Sequence, residues 1–227
     1  MISGPETPLT GRVFEAVLFD MDGTLIDSTP SVERSWARWA EGRGLDRGGI
    51  TVAHGVPARQ ILASFLPVAE VDGALVEIEA MEVADVEGIV VLPGALDALV
   101  ALPPGRAAIA TSSTQPLAKA RIAATGLPVP AVVVTANDVT VGKPHPGPYL
   151  LAAARLGVDP ARCLVVEDSP AGLASGRAAG CATLALSTTH ATTDLHADAV
   201  VVSLADVRFV ASDTGIRVDP RPGDTRR

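Results

Sequence analysis

Two textures alternate along the chain. Short apolar runs rich in β-branched residues occur at 14–20 (FEAVLFD), 106–111 (RAAIAT), 131–135 (AVVVT), 163–167 (CLVVE), 181–186 (CATLAL) and 198–202 (DAVVV). They are near-continuously apolar, without the strict in–out alternation of a half-exposed strand, which predicts strands buried on both faces. Most are separated by Ala- and Leu-rich segments with helical spacing, at 94–102, 115–125, 146–156 and 170–179. Strands alternating with helices, joined by right-handed crossovers, predict an α/β fold with a doubly wound parallel sheet.

The stretch from about 28 to 92 breaks this rhythm. It holds no convincing strand and predicts helices at about 30–42, 57–65 and 73–86. Pro30 behind Ser28 and Thr29 is a helix-start signal, and Val32, Trp36, Trp39 and Ala40 fall on one face. The expected organisation is a core of 12–27 plus 93–211 and a small helical cap of 28–92, inserted after the first strand over the carboxyl edge of the sheet. Residues 1–11 and the polar, Pro- and Gly-rich 212–227 are expected to be tails.

Composition narrows the class. Hydrophobic residues make up 48% of the 227 positions and aromatics only 3%, which suits helix-on-sheet packing. A net charge of -8 with no basic stripe argues against nucleic acid. No apolar run approaches the roughly 20 residues of a membrane span, and the N-terminus lacks a secretory h-region. A cytoplasmic protein is expected, with Cys163 and Cys181 as buried, reduced thiols and no obligate protein partner implied.

In such a sheet, chemistry gathers just past the carboxyl ends of the strands. The first strand ends in Asp20-Met21-Asp22-Gly23-Thr24 and the second in Thr111-Ser112-Ser113; Gly142-Lys143-Pro144 follows the third, and the fourth ends in Glu167-Asp168-Ser169. Asp20 and Asp168, with the backbone of Asp22, offer hard oxygen ligands suited to Mg²⁺. Glu167 either ligates the ion or orients a ligand from outside. A phosphate dianion approaches such a group of carboxylates only if cations neutralise them, and Mg²⁺ with Lys143 would do so. Thr111 and the backbone N–H of Ser112 can hold phosphate oxygens, though both also suit helix capping. Asp20 is the candidate nucleophile. Asp22 is the candidate general acid and base, the competing reading being turn chemistry at Asp-Gly.

The set Asp20-Met21-Asp22-Gly23-Thr24-Leu25, Thr111, Lys143 and Glu167-Asp168 resembles the four motifs of the haloacid dehalogenase superfamily, over about residues 14 to 205. The helical insertion is similar to the cap of its first subfamily. Stretches such as HGVPARQIL and VVEDSPAGLASGRAAG resemble its bacterial sugar-phosphate and hexitol-phosphate phosphatases, relatives of β-phosphoglucomutase. The resemblance implies a Rossmann-like core, Mg²⁺, an aspartyl-phosphate intermediate, a small phosphorylated metabolite as substrate and a cis Lys143–Pro144 bond. It also implies an ester-cleaving member: dehalogenases lack the equivalent of Asp22, and the cap lysine of phosphonatases has no counterpart, since Asp27 to Leu92 contains no lysine.

Two other activities compete. A sugar phosphomutase of β-phosphoglucomutase type would share the aspartyl-phosphate, but it needs a cationic grip in the cap where this chain reads His54-Gly55-Val56-Pro57-Ala58. A non-enzymatic receiver-like phospho-signalling domain would place its phosphoacceptor after a later strand. His54 and Arg59 are the candidate substrate contacts from the cap. Trp36 and Trp39 are expected inside it, and His145, His190 and His196 are expected to be structural or surface residues.

Overall fold

The computed structural model describes residues 9–45 and 58–221. From β1 (Ala16–Phe19) the chain passes through β2 (Ile26–Asp27) into α1 (Thr29–Gly42), α2 (Ala58–Ala63) and α3 (Val68–Ala84). It returns through β3 (Val90–Val91) and α4 (Ala95–Val100), then alternates β4 (Ala107–Ala110), α5 (Gln115–Thr125), β5 (Val132–Val134) and α6 (Gly147–Leu156). The remainder is β6 (Cys163–Glu167), α7 (Pro170–Ala178), β7 (Ala182–Leu186), β8 (Ala199–Val201), β9 (Val207–Ser212) and β10 (Gly215–Pro220).

Six parallel strands form one sheet in the order β5-β4-β1-β6-β7-β8. Every residue of β1, β4, β6 and β7 is buried, the reason their sequences read as unbroken apolar runs. The two-residue period still sorts the side chains. Val17 and Phe19 join one core layer with Ile109, Leu164, Val166 and Leu184, whereas Ala16 and Leu18 join the other with Ala108, Val165, Tyr149 and Ala152. Each large aliphatic side chain removed from water in this way contributes about 1.5–3 kcal/mol. From β1 the chain moves outward to β4 and β5 on one side and then crosses back to β6, β7 and β8 on the other, so a crevice opens between the carboxyl ends of β1 and β6.

The insertion has its own core, in which Trp36, Trp39, Ile61, Leu62, Val71, Ala74 and Ile78 pack together. Both tryptophans are buried, and Trp39 meets Trp36 edge-on at 6.1 Å between ring centroids. The helices lie near the expected positions, although α3 begins five residues before the expected 73, directly behind Pro67.

Three expectations need correction. A strand does occur within 28–92: Val90–Val91 pairs antiparallel with Ile26–Asp27 where the chain leaves and re-enters the core, a ribbon too short to carry a periodicity. The region from 212 is not simply a tail, because β10 forms an antiparallel hairpin with β9 and exchanges two backbone hydrogen bonds between Ile216 and Phe14, at 2.8 and 2.7 Å. Its polar composition hides a buried Ile216, and Phe209 of the same hairpin packs edge-on against Phe19 at 5.8 Å. Gly215 permits the approach with φ 132°, since a Cβ there would lie 2.5 Å from the Phe14 carbonyl oxygen. Within the expected 1–11 tail, Leu9 is buried in the main core.

Candidate active site

The crevice gathers the strand-end residues into one cleft of about 100 Å³, lined by Asp20, Asp22, Thr111, Ser112, Lys143, Asp168, Ser169 and Ala171. A small tetrahedral anion suits it better than a whole sugar.

Lys143 stands at the centre. Its Nζ donates to Asp20 Oδ1 at 2.5 Å and to Glu167 Oε1 at 2.7 Å, and it lies 5.0 Å from the centroid of the Tyr149 ring. The Lys143–Pro144 peptide is cis, as expected. Burial works against the ammonium charge, but the two carboxylates outweigh it and hold the Lys143 pKa above its usual value.

Glu167 is saturated. Oε1 accepts from Lys143 and from the Tyr149 hydroxyl at 3.0 Å, while Oε2 accepts from the backbone N–H of Asp168 and Ser169 and from the Ser169 hydroxyl. Burial pushes its pKa up, yet Lys143 and the Ser169 bonds together hold it below the usual carboxylate range. Gly172 makes the room, since a Cβ there would fall 1.6 Å from Glu167 Oε1. Such a carboxylate fixes the lysine and the following backbone and has little capacity left for an ion.

Asp20 and Asp168 are the opposite case. Burial pushes the Asp20 carboxyl well above its usual value, against the pull of Lys143. Asp168 accepts from the Thr24 hydroxyl at 3.0 Å and from the Thr189 hydroxyl, and burial followed by the charge of Glu167 pushes its pKa up to about 7. Oxygens of Asp20, Glu167 and Asp168 lie within 4.8 Å of one another, so three carboxylates face one ammonium. The all-oxygen donors and the uncompensated negative charge fit a hard divalent cation between Asp20 and Asp168.

Asp22 is held from behind. Ser28 donates to Oδ1 at 2.7 Å and Ser113 to Oδ2 at 2.9 Å, and the Arg121 guanidinium forms an ion pair with Oδ1 at 2.9 Å. Ser28 occupies the N-cap position of α1 but makes no cap bond there; its hydroxyl serves Asp22 instead. Thr111 is buried and accepts from the Ser113 N–H at 3.0 Å, while Ser112 is exposed at the cleft.

The cap candidates fare differently. His54 lies outside the described residues. Arg59 is bonded to Asp72 at 2.5 Å on the exposed side of the insertion and does not line the cleft. His145 Nδ1 accepts from the Gly147 N–H, and His190 Nδ1 stands 2.9 Å from the Thr189 hydroxyl. Sequence reasoning assigned no site role to Thr24, Ser28, Ser113, Arg121, Tyr149 or Thr189. Ser28 and Ser113 stood beside named motifs, but Arg121 lies in an Ala-rich helix with nothing local to mark it.

A parallel sheet in this strand order, with two aspartates at the end of its first strand and a lysine and an acidic pair beside them, defines a hydrolase architecture. The chain belongs to that family: the sequence model of the haloacid dehalogenase-like hydrolases matches residues 14–180. Within it, the chain is 42% identical over 205 residues to hexitol phosphatase A of Escherichia coli, covering 87% of this chain and 95% of that one. It is 37% identical to glycerol-1-phosphate phosphohydrolase 2 of Saccharomyces cerevisiae over 80% of this chain and 78% of the yeast protein. Among solved structures, CbbY from Rhodobacter sphaeroides in complex with phosphate superposes with a TM-score of 0.68 at 26% identity, covering 85% of this chain and 96% of CbbY. Among the described residues no helix is long and apolar enough to cross a membrane.

Proposed function

We propose that this enzyme is a Mg²⁺-dependent phosphatase of small phosphorylated sugars or polyols that works through an aspartyl-phosphate on Asp20. The observation carrying the reading is the pairing of two aspartates at one strand end, Asp20 bonded to Lys143 and Asp22 to Ser28, Ser113 and Arg121. They have the same chemistry in different surroundings, which suits one to attack and the other to move protons.

A carboxylate oxygen of Asp20 attacks phosphorus; the new O–P bond forms as the bond from phosphorus to the substrate alcohol breaks. Asp22 gives its proton to the departing alkoxide oxygen. It then takes one from the water that attacks phosphorus and returns Asp20 to a free carboxylate. Lys143, the Thr111 hydroxyl and the Ser112 N–H face the non-bridging phosphate oxygens. Asp20, Asp168 and the backbone carbonyl of Asp22 would hold Mg²⁺. When bound, the ion supplies charge compensation for the phosphoryl oxygens. Glu167 keeps Lys143 in place.

The cleft has room for the phosphoryl group but little beyond it, so discrimination among alcohols falls to the cap formed by residues 28–92, His54 included. The polyol and sugar substrate class is supported by the names of the relatives, which act on hexitol and glycerol phosphates. The test is phosphate release from a panel of hexitol, glycerol, hexose and pentose phosphates with Mg²⁺, repeated with EDTA. Activity unaffected by EDTA, or no hydrolysis of any alkyl phosphate, would refute the proposal.

A further inference from the structure

Behind Asp22 a buried chain of charged groups runs on from Arg121 into the insertion. Arg121, on α5 of the core, has only 4% of its side chain exposed. Its Nη1 lies 2.9 Å from Asp22 Oδ1 and donates to the Ser113 hydroxyl at 3.1 Å, and that hydroxyl donates onward to Asp22 Oδ2. Its Nη2 donates to Glu82 Oε2 at 2.9 Å. Glu82 belongs to α3 of the insertion and has 10% of its side chain exposed; its Oε1 accepts from the Trp36 indole of α1 at 3.0 Å. A second link lies alongside, where the Thr114 hydroxyl donates to Glu79 of α3 at 2.5 Å.

We propose that Arg121 and Glu82 are positioning residues for Asp22, an ionic strut through which the seating of the cap sets the orientation of the acid/base carboxylate. This rests on the assignment of Asp22 as acid/base. The geometry favours a positioning role over a simple brace between two domains. One arm of the guanidinium fork takes the carboxylate that lines the cleft and the hydroxyl orienting that carboxylate; the other takes the cap. Because the fork is planar and rigid, a shift of α3 relative to the core is passed to Asp22 through Arg121. Asp22 has to meet the alcohol oxygen only as the ester breaks, so a small misplacement is enough to impair proton transfer.

A lysine at 121 keeps the charge but loses the fork, and a glutamine at 82 keeps the shape and an acceptor for Trp36 but loses the charge. R121K and E82Q are therefore compared with wild type and with D22N on two substrates. One is glycerol 1-phosphate, whose alkoxide needs a proton to leave; the other is p-nitrophenyl phosphate, whose nitrophenolate leaves without one. kcat/KM reads the steps up to formation of the aspartyl-phosphate, so the second, water-activating half does not enter.

The expected result is a loss of roughly 10- to 100-fold in kcat/KM on glycerol 1-phosphate in R121K and E82Q. Loss on p-nitrophenyl phosphate should stay within about twofold, the same split that D22N shows in stronger form. A fold or cap defect would lower both substrates together, and a thermal melt of each variant registers the fold independently. If D22N shows the split but R121K and E82Q lose both activities equally, or lose neither, the strut is overturned and the acid/base assignment stands. If D22N itself shows no split, that assignment fails and the strut fails with it.

Discussion

Glu167 and Asp168 are neighbours in sequence and both are buried, yet their neutral variants should move stability in opposite directions. Glu167 accepts five hydrogen bonds, from Lys143, Tyr149, the N–H groups of Asp168 and Ser169, and the Ser169 hydroxyl. In Glu167→Gln the NH₂ must replace one oxygen. At Oε1 it confronts the Lys143 ammonium and the tyrosine hydroxyl; at Oε2 it confronts two fixed N–H groups. Either orientation opposes donor to donor and leaves Lys143 one carboxylate short. Breaking one side of a buried pair costs about 3–5 kcal/mol. At about 2–4 °C per kcal/mol for a chain of this size, Tm should fall by roughly 6–20 °C. Among the described residues the Asp168 carboxylate accepts only from hydroxyls, those of Thr24 and Thr189, which can reverse their hydrogens toward an amide. Its folded pKa of about 7 lies above the ordinary 3.8, so the folded chain binds this proton more tightly than the unfolded chain does. The linked stability is present below the ordinary pKa and is lost as pH rises through about 7. Asp168→Asn removes that cost. In EDTA at pH 8 its Tm should equal or exceed that of wild type, and the stabilisation wild type gains on adding Mg²⁺ should vanish. Both variants are read by thermal unfolding followed by circular dichroism, with and without the ion. A Glu167→Gln melt within about 2 °C of wild type, or an Asp168→Asn melt in EDTA well below it, would refute this account of the buried charges.

Three further outcomes are expected. Asp20→Asn should abolish turnover, and Asp22→Asn should let one phosphoryl group accumulate on the chain, read by intact-protein mass spectrometry after quenching; wild-type kcat in Asp20→Asn would end the proposed mechanism. Burial pushes the pKa of both the Cys163 and Cys181 thiols up to about 12, so Ellman's reagent at pH 8 should react with neither thiol in the native protein and with both in guanidinium chloride, and rapid native labelling would show the sites open. Gly215→Ala should destabilise by about 1–3 kcal/mol, because it combines a strained φ with a Cβ driven into the Phe14 carbonyl; an unchanged urea midpoint would mean that the β9–β10 hairpin contributes little.

The four central sheet strands were legible because a strand buried on both faces must be apolar throughout, and that requirement is written locally, as in 163–167 or 181–186; the edge strands β5 and β8 carried the same β-branched runs though partly exposed. The same holds for Asp20, Asp22, Thr111, Lys143 and Asp168: the site of a doubly wound sheet lies past the carboxyl ends of its strands, so residue type and place just after a strand, or in the loop that follows one, were enough to nominate them. The tertiary structure alone decided which carboxylate meets which partner. Glu167 and Asp168 look alike in sequence, but only Glu167 meets Lys143 and Tyr149, which other elements supply. Likewise nothing near Arg121 announces that it will meet Asp22 and Glu82, residues far from it in the chain and brought to it by two separate elements. The docking of the β9–β10 hairpin was hidden for the same reason, since Ile216 exchanges its backbone hydrogen bonds with Phe14, near the other end of the sequence. Secondary structure and strand-end chemistry follow from near neighbours along the chain. The partner of a buried charge follows from which distant groups share its cavity, because only there, away from water, does an unpaired charge cost enough to select its partner.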